Sequence, residues 1–160
     1  MILYLYDDAV ADDWNPFSLT RPIGELRFGD RLLRERLEAY AGTSARAALT
    51  RAWLADFREP GAPPALPRDA GIGDGPRLLL CSRFVPEDGS RLDALPANEP
   101  VLLHAEGGPA GLWLPPGSET PGADWLREPG PLPRTSERQV RGSLLPRPWS
   151  LVERNPDRLA

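Results

Sequence analysis

The sequence predicts an α/β protein with a mostly parallel sheet and an antiparallel hairpin. Two stretches, Ile2-Leu3-Tyr4-Leu5-Tyr6 and Leu78-Leu79-Leu80-Cys81, are apolar at every position, the mark of strands buried on both faces. An amphipathic helical pattern lies between them. Two further apolar runs, Val101-Leu102-Leu103-His104-Ala105 and Gly111-Leu112-Trp113-Leu114, flank a Gly-Gly-Pro turn and read as a hairpin. Strands alternating with helices favour parallel pairing.

In the first strand Ile2, Tyr4 and Tyr6 face one way and Leu3 and Leu5 the other. Asn15-Pro16 signals a turn. Residues 30–40 read as a helix with Leu33, Leu37 and Tyr40 on one stripe, Asp30 as its cap and Gly42 as its stop. Residues 46–49 form a short strand. Thr50 then caps a second helix over 51–57 that buries Trp53, Leu54 and Phe57. Residues 59–76 and 115–134 are dominated by Pro and Gly and read as loops. Residues 91–95 suit one helical turn, and Ser150 suits the cap of a last helix. No internal repeat is visible, and residues 1–160 form a single domain on the usual length prior.

Composition excludes several chemistries. The chain has 19 basic residues, and all of them are Arg. Without Lys, no Schiff base and no P-loop lysine is available. One Cys and one His rule out an intrachain disulfide and Cys- or His-rich metal clusters. The net charge of −4 gives no reason to expect nucleic acid or an anionic membrane as partner. The N-terminal apolar run is too short for a signal peptide and no run suits a membrane helix, so a cytoplasmic location is expected. Cys81 reads as a core residue, His104 as a structural histidine, and the five Trp residues as core or interface packing.

Chemistry concentrates in residues 7–33. Ligands of open α/β sheets bind outside the carboxyl ends of the strands. Asp7 and Asp8 follow the first strand, and the same loop carries Asn15, Thr20, Arg21 and Arg27. Guanidiniums fork onto phosphate oxygens, and one or two carboxylates suffice for a hydrated magnesium ion. The aspartates equally suit a solvated loop, and the arginines surface pairs with Glu25 or the aspartates.

Leu5-Tyr6-Asp7-Asp8, Asn15-Pro16 and Thr20-Arg21-Pro22-Ile23-Gly24-Glu25-Leu26-Arg27-Phe28-Gly29 resemble the opening of sugar nucleotidyltransferases. In particular they are similar to the N-terminal domain of the alternative bacterial bifunctional UDP-N-acetylglucosamine diphosphorylase/glucosamine-1-phosphate N-acetyltransferases. Leu49-Thr50-Arg51-Ala52-Trp53-Leu54, Leu79-Leu80-Cys81-Ser82-Arg83-Phe84-Val85-Pro86 and Arg147-Pro148-Trp149-Ser150-Leu151-Val152 agree more loosely.

The resemblance implies a Rossmann-like nucleotidyltransferase-type layered fold, whole or incomplete in these residues. It implies attack of a sugar 1-phosphate oxygen on the α-phosphorus of a nucleoside triphosphate, with pyrophosphate leaving. It assigns Arg21 and Arg27 to catalysis on the phosphates, and Asn15, Thr20 and Arg83 to substrate binding. Asp7 or Asp8 would hold Mg2+. It further implies a role in making nucleotide sugars for the cell envelope. The family's hexapeptide-repeat domain is absent from residues 1–160, which leaves homo-oligomer formation to that domain.

Three departures stand out. Asp7-Asp8 replaces the phosphate-cradling glycine run, Ile23 stands at the usual lysine's place, and Cys81-Ser82-Arg83 replaces the strand end that would carry a metal-binding aspartate. Two carboxylates without a cation repel a polyphosphate, so either a metal sits there or the triphosphate does not. A second expectation follows: a catalytically degenerate structural or oligomerisation module for an acetyltransferase.

Overall fold

The computed structural model describes residues 1–154. Its elements, in chain order, are β1 (Ile2–Tyr6), α1 (Ala9–Asp12), α2 (Phe17–Thr20), β2 (Arg27–Phe28), β3 (Arg31–Leu32), α3 (Leu33–Ala41), β4 (Ala45–Thr50) and β5 (Ala65–Pro67). There follow β6 (Arg77–Cys81), β7 (Phe84–Pro86), β8 (Val101–Glu106), β9 (Gly108–Leu114), α4 (Ala123–Arg127), β10 (Ser136–Leu144) and α5 (Ser150–Glu153). Short 3-10 turns lie at Ile23–Glu25 and Ala52–Leu54.

Eight strands form one sheet in the order β5-β4-β1-β6-β9-β8-β10-β7, and β2-β3 make a separate antiparallel ribbon. The first four strands in this order are parallel to one another, and β8 and β10 are parallel to each other. β9 runs antiparallel between β6 and β8, and β7 closes the edge antiparallel to β10. The chain leaves β1 toward β4 and β5 on one side, then returns to place β6 on the other. Open α/β sheets bind ligands in the crevice at such a reversal, which here falls at the carboxyl ends of β1 and β6.

Side-chain alternation along β1 appears as predicted. Tyr6 packs against Trp125 of α4, with ring centroids 6.2 Å apart, and the Tyr4 hydroxyl donates to the Ile72 carbonyl. Leu5 faces the other layer, beside Gly24 and α3. Leu37 and Tyr40 join the main core, where Tyr40 meets Phe84 edge-on at 5.6 Å. A second, smaller core of Trp14, Ile23, Leu26, Phe28, Leu33, Val85, Leu145 and Leu151 lies under the loop that follows β1.

Several local expectations are corrected. The helix expected over 51–57 is a single 3-10 turn, because the Thr50 hydroxyl donates to Asp7 Oδ2 (2.7 Å) instead of capping a helix. Trp53 is consequently 65% exposed. Asp30 does not cap α3, which starts three residues later. There the Glu35 carboxylate accepts from the Leu32 N–H at 2.8 Å, and Asp30 pairs with Arg36. Gly42 does end the helix in the left-handed region, at φ 71°. Residues 91–95 form no helical turn, and the last helix is capped at Trp149, not Ser150. The segment 59–76 contains β5, whose Pro67 is tolerated on an edge strand. The segment 115–134 contains α4, and β10 was not expected.

β6 and β9 approach closely at Gly111, where an added Cβ would lie 2.5 Å from the Leu79 carbonyl oxygen. Gly111→Ala is therefore expected to destabilise the fold by at least about 1–3 kcal/mol, read as a lowered denaturant midpoint with an unchanged slope.

Candidate functional site

Each parallel strand delivers a charged residue to the carboxyl edge. Asp7 follows β1, Arg51 follows β4, Arg68 follows β5, and Arg83 lies two residues beyond β6. The first of these carboxylates, Asp7, is buried. It accepts from Thr50 and from the Ile23 N–H at 3.3 Å, and pairs with the Arg51 guanidinium, whose Nη2 lies 3.2 Å from Oδ2. Burial pushes its pKa up, and the Arg51 guanidinium and Thr50 hydroxyl pull against that rise.

Asp8 is buried as well and serves two purposes. Its Oδ1 accepts from the Ala11 N–H at 2.9 Å, capping α1, and from Arg83 Nε at 2.8 Å. Its Oδ2 accepts from Arg83 Nη2 and, at 3.7 Å, from the Cys81 thiol. The remaining Arg83 Nη1 donates to the Leu145 carbonyl beyond β10. Arg83 thus closes the floor of the crevice as a bidentate partner of Asp8.

Above this floor lies a second ring of charge. Asp12 Oδ1 accepts from Arg51 Nη1 at 2.7 Å and from Arg68 Nη2, while Arg127 Nε stands 3.9 Å from Oδ2. Arg68 Nε also donates to the Asp7 carbonyl at 2.7 Å, and Arg51 Nη2 to the Arg21 carbonyl at 3.2 Å. Trp53 flanks the ring, with the Arg51 guanidinium 6.0 Å from its centroid.

The candidate residues of the sequence separate into two groups. Asp7, Asp8, Arg83 and the Arg21 backbone belong to the edge. The Arg21 side chain extends outward to Glu59 at 3.0 Å. Asn15 and Arg27 line a different feature, an open groove of about 600 Å³ with Phe17, Leu26, Trp149 and Val152 among its walls. In that region Asn15 Oδ1 accepts from Ser18 and Arg27 Nη1 donates to the Asp30 carbonyl at 2.7 Å. The Thr20 hydroxyl turns to the Phe17 carbonyl. Glu25 is engaged by Arg34 at 2.7 Å, not by Arg21 or Arg27.

Sequence reading missed Arg68, Arg127 and Trp53 as site residues, and cited Arg51 only for its likeness. The signal for Arg51 and Arg68 is positional, since each is the first residue after a parallel strand. Arg127 carries no such signal, because its Pro/Gly-rich surroundings conceal α4.

Magnesium is the ion a sugar nucleotidyltransferase site would be expected to use, and Asp7 and Asp8 were its candidate ligands. Their oxygens are already taken by the donors described above. Magnesium demands near-octahedral oxygen ligands at close range. Among the described residues no group of three or more His, Cys, Asp or Glu side chains is placed to hold a metal. As arranged, Asp7 and Asp8 do not fit a magnesium ion, and the positive charge of this edge is supplied by arginine.

Removing one partner of a buried ion pair strands the other charge. Arg83→Ala is expected to cost about 3–5 kcal/mol, whereas Asp8→Leu combined with Arg83→Met loses much less; chemical denaturation of the three proteins checks both. Asp7 binds its proton more tightly folded than unfolded. Upward from its ordinary value of 3.8, unfolding therefore releases a proton and stability falls as pH rises. The melting temperature of wild type relative to Asp7→Asn is expected to fall across that interval.

Comparison with known proteins agrees with the fold. A family profile described as "Sugar nucleotidyl transferase" matches residues 3–160. No curated protein matches the chain. The architecture is similar to the crystal structure, in complex with sucrose, of a Bacillus anthracis protein assigned as a glucose-1-phosphate thymidylyltransferase. The TM-score is 0.58 at 10% identity, covering 99% of this chain and 95% of that one. At that identity the likeness shows a shared nucleotidyltransferase-type Rossmann-like fold. With the family profile spanning nearly every residue, the chain is a transferase belonging to the sugar nucleotidyl transferase family.

Proposed function

We propose that this domain transfers a nucleotidyl group from a nucleoside triphosphate to a sugar 1-phosphate in the cytoplasm. A phosphate oxygen of the sugar 1-phosphate attacks the α-phosphorus. The new O–P bond forms as the bond to the β-phosphate breaks, and pyrophosphate leaves with the electron pair. Such reactions need positioning and neutralisation of charge more than covalent help from the protein. The observation that carries the reading is the ring of arginines at the carboxyl edge where the strand order reverses. In this reading Arg21, at the rim and over a third exposed, swings from Glu59 to the phosphates. Arg27 gives a second positive charge from the neighbouring groove. Asn15 and Thr20 hydrogen-bond the sugar or base, and exposed Trp53 offers a stacking face.

The resemblance to UDP-N-acetylglucosamine diphosphorylases makes UTP with N-acetylglucosamine 1-phosphate the first pair to assay. Pyrophosphate release, measured with magnesium present across a panel of triphosphates and sugar 1-phosphates, is expected for at least one pair. Arg21→Ala is expected to lower kcat/KM on the order of a hundredfold with little loss of stability, since its ion pair is exposed.

The filled floor favours a second reading. The Asp8–Arg83 pair occupies the crevice that glycine amides would otherwise line, which suits a structural module of an acetyltransferase. Absence of release for every pair, together with no thermal shift from any triphosphate at millimolar concentration, selects that reading.

A further inference from the structure

We propose that the guanidiniums of Arg51, Arg68 and Arg127 form a phosphate subsite, and that the Asp12 carboxylate is its tethered occupant until substrate arrives. The subsite deepens the transferase reading and rests on it.

The three arginines come from chain segments far apart in sequence, after β4, after β5 and from α4, yet they converge on one carboxylate. A single Asp needs one guanidinium for a bidentate pair. Here two arginines share Oδ1 and a third stands at Oδ2, a donor excess suited to an anion with more oxygens and more charge. Counting Asp7, which also pairs with Arg51, the cluster holds three guanidiniums against two carboxyl groups.

A second observation points the same way. Arg51 is buried, and its Nε has no hydrogen-bond partner. A buried donor without a partner is costly, and a phosphate seated on Arg51 can engage it. Asp12 and Arg127 lie outermost, with side chains 21% and 54% exposed, whereas those of Arg51 and Arg68 are 3% and 9% exposed and are reached only as Asp12 leaves. Asp12 also sits at the last position of α1, a single turn of four residues, so its carboxylate can leave without disturbing the sheet. Arg51 and Arg68 remain held by Asp7, through its carboxylate and its carbonyl.

A carboxylate that only positions the arginines and one that competes with the ligand have opposite consequences. If Asp12 competes, removing it tightens phosphate binding; if it positions, removing it weakens binding. The test is isothermal titration of the full chain with inorganic pyrophosphate and, separately, with glucose 1-phosphate, which tells the triphosphate end from the sugar phosphate as the occupant. Asp12→Asn and Asp12→Ala are both expected to bind at least one of these anions about tenfold more tightly than wild type. Arg127→Ala, on a half-exposed side chain, is expected to weaken that binding and to cancel the gain in the double variant. Circular dichroism and melting curves establish that each variant is folded, and Asp12→Asn keeps the size of the side chain should Asp12→Ala not fold.

Unchanged or weaker binding of both anions in folded Asp12→Asn overturns the proposal, as does unaltered binding in Arg127→Ala. Pyrophosphate release from a triphosphate and sugar 1-phosphate, measured on the same proteins, keeps the two readings apart. Release without tightened binding defeats the subsite alone. Tightened binding without release from any pair defeats the transferase reading alone.

Discussion

The Asp8–Arg83 ion pair is the constraint around which the carboxyl edge of the sheet is arranged. Either charge alone at that depth would be untenable, and together they form a neutral unit. The unit ties the end of β1 to the end of β6 and, through Leu145, to the chain leaving β10. It also sets what its neighbours can do. The Tyr6 hydroxyl and Cys81 thiol beside it are fully buried, and burial first of all drives both pKa values well up, with the Asp8 charge adding to the effect. Neither is an available nucleophile. The ring above holds three guanidiniums, whose side chains differ in exposure and therefore in freedom to move.

The elements legible in the sequence are those whose burial is uniform. β1 and β6 are covered on both faces, so β1 is apolar throughout and β6 from Leu78 onward, and the β8–β9 hairpin announces itself by two apolar runs around glycines. α3 is legible through its stripe and Gly42. The errors arise where a tertiary partner takes a group that local rules assign elsewhere. Thr50 is a plausible helix cap until Asp7, 43 residues away in sequence, accepts its hydroxyl. β5 is short and carries a proline, and β10 alternates Ser, Glu, Arg and Gln with few apolar residues, so neither shows the strand pattern.

The functional edge was half legible for the same reason. That Asp7 and Asp8 lie at the end of a buried strand follows from the sequence alone. That Asp8 belongs to Arg83, 75 residues distant in sequence, does not, because complementary charges carry no address in a chain with 19 arginines.

The route of residues 115–135 has a further consequence. β9 ends at Leu114, opposite Arg77 at the amino end of β6, and β10 starts at Ser136, opposite Val101 at that same end. Between them the chain travels along the sheet to set Trp125 on Tyr6 and Arg127 near Asp12, then comes back. Departure and return share one end of the scaffold, so this excursion behaves as an exchangeable cassette. Between its anchors at Trp125 and Leu126, which pack into the core, its length can change without re-registering a strand.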